Sequence, residues 1–548
     1  MVKTLILGNN PNKGWIKDLR LPTTAVPNIS IGRSMDVVKF IKTLPKDLEC
    51  LVIDADTIYS ENLKLPLELA LYIRIMIYDC FRTSLSKIII LSDFPIESFM
   101  GFGVNSMVLM TEGILFTDSK DICKAIESAL SLTPSEYVDG FLNMIKVEPE
   151  EKVEGRHSIA NEWGAEALYN VISGGVKSNI IPVKAESSLY FKYSNVVSLN
   201  AENVKNLIEG KVSEYLTKRI TIKDNINYLL IDDESDKGWD NVLRSLLPNA
   251  NQEVWKNPIA SYEELSEEIK GKITNGDYDI IFLDLRMSGI GEDNVIKPED
   301  FSGMKILKSI KNVNKGIQVI MLTATNKAWN VKALIDAGAN GYYMKESPEY
   351  HFPLKYTEQN ALAFVNTIKE CIGNSYLQHI VFKANHLYHK LPSDSDLSDN
   401  ILNQVSIALS LILKAKTPAE YAFAYISLEQ IFEISSAFLI QQESSRNSIT
   451  YHFTEDTHEM CNLYIDGKPN GSLMSAKGKN PIGLWQKVSA IYYQLYEGKD
   501  PEFGSKVKKL VHLRNEYIHP SDDNKPIITS NDFIELFDTM MNFLSTFR

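Results

Sequence analysis

Five residues in the middle of this chain have types and spacing suited to phosphoryl chemistry. Asp232 and Asp233 close the apolar run INYLLIDDE, Asp284 closes YDIIFLDL, Thr323 closes GIQVIMLT, and Lys345 closes GYYMK. Buried parallel strands would bring all five to one rim of one sheet, beyond the carboxyl ends where such sheets hold ligands. Three carboxylates there can hold Mg²⁺, which takes oxygen ligands in octahedral geometry. The metal offsets repulsion between an attacking carboxylate and an incoming phosphoryl group. A lysine pairs with phosphoryl oxygens. A threonine hydroxyl bonds the same oxygens once phosphate arrives, a local event that biases a two-state element. A lone strand-end Asp is more often structural or solvated; the ordered set carries the reading.

Elements alternate as that rim requires. Across 225–372 the runs above are separated by helical stretches: DNVLRSLLP, SYEELSEEIKG, GMKILKSIKN, NVKALIDAGA and a closing TEQNALAFVNTIKECI. Five βα units of this kind make a doubly wound sheet. Residues 1–135 alternate similarly. KTLILGN, ECLVIDAD, KIIILSD and SMVLMT read as strands, with LPLELALYIRIMIYDCF as a buried helix. Residues 136–222 are less periodic and form a linking region of unassigned fold, with a β-like stretch from Ile180 to Ser198. Residues 376–548 read as all helix, a bundle of hairpins joined by irregular loops. The fold class is therefore multidomain, α/β followed by all-α.

The central segment resembles the receiver domain of two-component response regulators over nearly all of 225–372. The flanking words fit: IDDE, FLDLRM, MLTAT and DAGANGYYMKES. The resemblance implies a (βα)₅ fold that catalyses its own phosphorylation from a phosphohistidine donor, so a histidine kinase or phosphotransfer protein is the implied partner. By position, Asp284 is the phosphoacceptor. Asp232, Asp233 and Asp284 hold the metal, with a main-chain carbonyl from Arg286. Thr323 is the switch hydroxyl, Tyr342 the switch aromatic, and Lys345 the phosphate-binding lysine. Two departures stand out. An insertion, SGIGEDNVIKPEDFS, separates Met287 from Gly303, as a lid, a docking loop or an extended surface loop. Glu346 follows Lys345 where the family usually has proline.

Residues 1–135 look like a degenerate copy. Asn9 and Asn10 stand where the acidic pair would be, Asp54 or Asp56 near the acceptor position, and Ser92 near the hydroxyl. The last strand, ILFTDS, offers no lysine in register. Asparagines are poor magnesium ligands beside carboxylates. This region reads as an unphosphorylated pseudodomain for dimerisation or partner recognition, or as an unrelated α/β domain. In the linking region, GRHSIANEWGAEAL clusters Arg156, His157, Asn161, Glu162 and Trp163. It is either a phosphohistidine or ligand site at His157, or a polar cluster packing domains together.

Near the C-terminus, the helix SKVKKLVHLRNEYIHP ends in Arg514, Asn515 and His519, an RNxxxH motif. Histidine moves protons near neutral pH, and arginine binds a scissile phosphate. Lys506, Lys508 and Lys509 make the stretch basic, which would attract a phosphate backbone. The motif and its helical setting resemble the HEPN superfamily, some of whose members are metal-independent ribonucleases. That resemblance implies a homodimer with facing motifs, Arg514 and His519 catalytic, Asn515 supporting, and Glu429 or Glu433 as an acidic partner. A surface arginine beside a helix-end histidine is the plain alternative.

Composition bounds the rest. The 548 residues suggest about three to five domains. The net charge of −13 argues against a protein that coats nucleic acid over its whole surface. Five scattered cysteines, without a CxxC pair, disfavour a disulfide framework or zinc site and fit a reducing cytoplasm. MVKTLILGNN reads as a first strand and not a signal peptide, and no membrane span is expected. The combined reading is a cytoplasmic response regulator in a phosphorelay, phosphorylated on Asp284 with Mg²⁺, controlling a helical domain that cleaves RNA. Two rivals stand beside it: a non-catalytic signalling module, and a constitutive RNA-cleaving toxin or defence effector using the receivers as scaffold.

Overall fold

A computed structural model describes residues 4–8, 37–58, 63–148, 156–174, 189–210, 219–256, 262–275, 277–287, 295, 297–324, 328–350, 352–387, 390–391, 395–444, 449–454, 481–519 and 526–547. Asn9, Asn10 and most of the 288–296 insertion lie outside these residues.

The N-terminal sheet has four parallel strands, β1 (Thr4–Leu7), β2 (Cys50–Asp54), β3 (Lys87–Leu91) and β4 (Ile114–Thr117), in the order β1-β2-β3-β4. Helix α1 (Lys64–Ile75) is buried along most of its length. Its buried cation, Arg74, donates to the carbonyls of Ser84 at 2.6 Å and Gly113 at 2.8 Å, so a wholly buried guanidinium is held by main-chain oxygens. SMVLMT, expected as a strand, is instead made of short helical turns over Val104–Met110. Ser106 Oγ donates to Phe99 O, a local bond that competes with a ladder.

The linking region contributes α2 (Arg156–Ile172) and α3 (Leu189–Val196). The β-like reading of Ile180–Ser198 fails over Leu189–Val196. There Phe191, Tyr193 and Val196 are buried at helical spacing, and Tyr193 Oη donates to Ile145 O at 2.8 Å. Residues 180–188 lie outside the described residues.

The central sheet has five parallel strands: β5 (Asn227–Ile231), β6 (Asn251–Trp255), β7 (Ile280–Asp284), β8 (Gln318–Thr323) and β9 (Gly341–Met344). Their order is β6-β5-β7-β8-β9. Sequence reading misses β6, whose NQEVW is mostly half-exposed at the sheet edge and lacks an apolar run. The side-chain period of two divides the core. Tyr228, Leu230, Phe282, Ile320, Leu322 and Tyr343 face one side, under α4 (Trp239–Leu246), a later helix and α2. Leu229, Ile231, Ile281, Leu283, Val319 and Met321 face the other, under α5 (Tyr262–Asn275), α6 (Ser302–Val313) and α7 (Ala328–Asp336). The later helix is α8 (Leu354–Gly373), whose Phe364 and Ile368 enter the first face.

Two residues after α8, α9 (Tyr376–Leu387) opens the C-terminal region. Asn314 Nδ2 donates to Gln378 O at 2.9 Å, and Gln378 Nε2 to Asp277 at 2.9 Å, which ties α9 to the base of the central sheet. Helices α10 (Asp396–Ile412), α11 (Pro418–Leu439), α12 (Leu484–Ala490), α13 (Phe503–Ile518) and α14 (Ser530–Leu544) share one apolar core. Thr417 and Glu420 form a capping box at the start of α11, with proline at its first turn. The all-helix reading needs one correction. Ile440–Ser444 and Ile449–Phe453 pair as an antiparallel hairpin, since ITYHF is rich in β-branched and aromatic residues. No described helix is long and apolar enough to cross a membrane.

Candidate functional site

The order β6-β5-β7 reverses chain direction across the sheet, and a doubly wound sheet opens its ligand crevice at such a reversal. Asp232 follows β5 and Asp284 ends β7, so both acids stand at that point. Oxygens of Asp232, Asp233 and Asp284 lie within 4.8 Å of one another, the one such three-ligand group among the described residues. Ligands of Mg²⁺ sit about 2.1 Å from the ion, hence about 3–4 Å apart, so this set fits a magnesium ion with small rotations.

Lys345 follows β9. Its register comes from Lys345 N–H donating to Thr323 O at 2.7 Å, which continues the β8–β9 ladder. Lys345 Nζ lies 2.8 Å from Asp284 Oδ1 and 3.0 Å from Asp232 Oδ2. It also stands 5.1 Å from the Trp239 ring centre. Lys345 and Asp232 are fully buried and Asp284 is 1% exposed, while Asp233 is half-buried. Burial raises the Asp232 carboxyl to about 6 against the pull of Lys345. Burial works against the Lys345 charge, but Asp232 and Asp284 outweigh it and hold the ammonium above its usual value.

The remaining expected residues divide. Thr323 ends β8, buried on the same rim. Arg286 N–H donates to Asp284 Oδ2 at 3.3 Å, while its guanidinium lies over the Phe301 ring at 4.8 Å. Tyr342 is 42% exposed on β9. Glu346 accepts from Thr357 Oγ1 at 2.9 Å and is buried, so the turn usually given to proline is fixed here by a side-chain bond to α8.

Where the insertion rejoins the fold, Gly303 presses on the end of β7. A Cβ there would stand 2.2 Å from Asp284 O and 2.7 Å from Leu285 Cα. Gly303→Ala is expected to cost about 2 kcal/mol, the middle of the range for overpacking, because backbone must shift. Urea unfolding measures it, and an unchanged midpoint would show that the turn yields freely.

A family model of the response regulator receiver domain matches residues 228–352. This segment is a response regulator receiver domain. The chain is 38% identical over 71 residues to the nitrate/nitrite response regulator NarP of Escherichia coli, covering 13% of this chain and 28% of that protein. It is 27% identical over 137 residues to a nitrate/nitrite response regulator homologue of Haemophilus influenzae, covering 24% of this chain and 55% of that one. The chain thus spans about a quarter and about half of these relatives. A Clostridium difficile two-component response regulator structure aligns at 20% identity and TM-score 0.18, covering 26% of this chain and 97% of its own. The signal receiver domain of NarL from Mycobacterium tuberculosis aligns at 17% identity and TM-score 0.18, covering 26% and 98%.

Outside the receiver domain, Asp54 is buried at the end of β2, and Asp56 accepts from Ser92 Oγ at 2.6 Å and from Asp93 N–H at 3.0 Å. In the C-terminal bundle, Arg514 lies on α13. It donates to Glu433 at 2.7 Å and to Asn515 Oδ1 at 3.1 Å, and its Nε is 3.6 Å from Glu429. Both proposed acidic partners therefore reach Arg514. His519 sits just past α13, exposed. The expected basic patch is largely paired: Lys506 with Asp500, Lys509 with Glu535, and Lys508 over the Trp485 ring at 5.3 Å. Local pairing weakens any long-range pull on a phosphate backbone.

Glu429 is fully buried, and burial raises its carboxyl to about 7, with Arg514 opposing and Glu433 reinforcing. A carboxyl raised in the folded state gives stability that is full below its usual value of 4.5 and lost as pH climbs through about 7. Between about pH 5 and pH 8 the bundle should lose roughly 2 kcal/mol from this group, and Glu429→Gln should flatten that slope. Denaturant titrations across that range decide it; parallel slopes for both proteins would refute the assignment.

The sequence motifs missed one participant. Asn161 of α2, outside the receiver segment, is fully buried and accepts a hydrogen bond from Lys345 Nζ. Of the two readings of its cluster, domain packing fits Asn161, Glu162 and Trp163, since Glu162 pairs with Lys237 at 3.5 Å and Trp163 packs on Phe191 at 5.5 Å. The side chains of Arg156 and His157 lie outside the described residues.

Proposed function

We propose that this protein is a phosphorelay response regulator whose receiver domain takes a phosphoryl group on Asp284 and thereby controls the C-terminal helical region. The observation that carries this is the cluster of three carboxylates, Asp232 and Asp284 buried and Asp233 half-buried, with Lys345 2.8 Å from Asp284. An oxygen of the Asp284 carboxylate attacks the phosphorus of a phosphohistidine on a kinase or phosphotransfer protein. The P–N bond breaks, the imidazole nitrogen takes a proton from solvent, and an acyl phosphate remains. Asp232, Asp233 and Asp284, with the Arg286 carbonyl, would hold Mg²⁺, which supplies neutralisation of charge on the transferring group. Lys345 binds the transferred oxygens, Thr323 turns toward them, and Tyr342 follows on the outer face of β9. Residues 1–135 serve as a pseudo-receiver for dimerisation or partner contact.

A second reading concerns the C-terminal region as a HEPN-like ribonuclease working as a homodimer, with Arg514, Asn515 and His519 at the cleavage site. The favouring observation is the Arg514–Glu433 pair with Glu429 beneath it. The test is RNA cleavage by wild type and His519→Ala, each with and without acetyl phosphate and Mg²⁺. Cleavage lost in the variant and altered by the phosphodonor supports a gated ribonuclease. Phosphorylation of Asp284 without cleavage in any condition leaves a binding module. Cleavage indifferent to the phosphodonor leaves a constitutive effector.

A further inference from the structure

The lysine of the receiver domain's acidic pocket is met by a helix from outside the receiver segment. α2 docks on α4 and α8 through Ala165, Leu168, Tyr169 and Ile172, which join the same apolar layer as Trp239 and Phe364. The face that meets the pocket is polar and closely fitted. Asn161 Oδ1 accepts from Lys345 Nζ, Asn161 Nδ2 donates to Glu234 at 2.7 Å, and the Asn161 carbonyl accepts from Trp239 Nε1 at 3.2 Å. One turn on, Gly164 lies against the strand end itself: a Cβ there would stand 3.2 Å from Lys345 Cα and from Glu346 N. Asp284 and Lys345 are buried, and α2 contributes Asn161 and Gly164 against Lys345.

We propose that Asn161 is a positioning residue of this pocket that competes with the phosphoryl group for Lys345, so that docking of α2 and phosphorylation of Asp284 oppose each other. The inference rests on Asp284 being the phosphoacceptor. The carboxamide oxygen of Asn161 holds the place on Lys345 that a phosphoryl oxygen takes after transfer. Lys345 cannot turn fully to both. That cost falls on the docked helix, so phosphorylation releases α2, and α2 transmits the state of the pocket to the rest of the linking region. Local opening of this kind draws on one element without unfolding the core.

The experiment uses the full chain with Mg²⁺ and phosphoramidate as donor, comparing wild type, Asn161→Ala, Gly164→Leu and Asp284→Asn. Asn161→Ala and Gly164→Leu are expected to form acyl phosphate about tenfold faster than wild type, the scale of one hydrogen bond to a charged group. Hydrogen exchange gives an independent reading. Beryllofluoride, a stand-in for the acyl phosphate, is expected to raise exchange across 156–172 in wild type, and Asn161→Ala to show raised exchange without it. A merely structural Asn161 would not make that exchange respond to beryllofluoride. Acyl phosphate at equal or lower rates in both variants, with exchange indifferent to beryllofluoride, overturns the competition and leaves the acceptor intact. No acyl phosphate in any protein overturns the acceptor reading and this inference with it.

Discussion

Lys345→Met is expected to destabilise the receiver domain by about 3–5 kcal/mol, the scale of removing one partner from a buried ion pair. Lys345 is the cation that meets both Asp232 and Asp284 in a buried site, at 3.0 Å and 2.8 Å. Methionine fills much of the volume, so the loss is electrostatic and not a cavity. It also leaves the Asn161 oxygen without the ammonium it accepts from. The two carboxylates then repel at short range without that ammonium between them, and burial favours a proton on one of them. Urea unfolding of wild type and variant at neutral pH measures the effect. Added Mg²⁺ is expected to recover more stability in the variant than in wild type, because a cation bound only by the folded state stabilises it by mass action. A midpoint within error of wild type would mean the site admits enough water to screen the pair.

The second large effect is chemical. Asp284→Asn is expected to lower acyl phosphate formation on the order of a thousandfold or more, the scale on which removal of a covalent nucleophile acts. Intact-mass measurement after incubation with acetyl phosphate and Mg²⁺ reads it. Folding should survive, since the change removes one of two neighbouring buried negative charges and Lys345 keeps Asp232 and Asn161 as partners. The two variants therefore separate the roles: Lys345 holds the pocket together, and Asp284 does the chemistry. Phosphate persisting on the Asp284→Asn protein would move the acceptor elsewhere.

Four of the five central strands and the five pocket residues at their ends were legible in the sequence. Each of those residues follows a run of mostly buried, mostly β-branched or large apolar side chains, and parallel topology forces such termini to one rim. Arg514 and its acidic neighbours were legible for a related reason, since Glu429 and Glu433 are one helical turn apart and share a face. Other features depended on contacts between segments distant in the chain. β6 carries no apolar run, and becomes a strand because β5 offers its edge. The Ile440–Phe453 hairpin interrupts a run of helices only because its two strands find each other. Leu189–Val196 has the composition of a strand, yet packing of Phe191, Tyr193 and Val196 makes it a helix. The place of Asn161 was least legible of all. It lies 184 positions from Lys345 in the chain, on a helix whose own pattern says only that one face is apolar. That this helix reaches the pocket lysine follows from packing between distant segments, because burial of Ala165, Leu168 and Ile172 against the receiver domain sets Asn161 on Lys345.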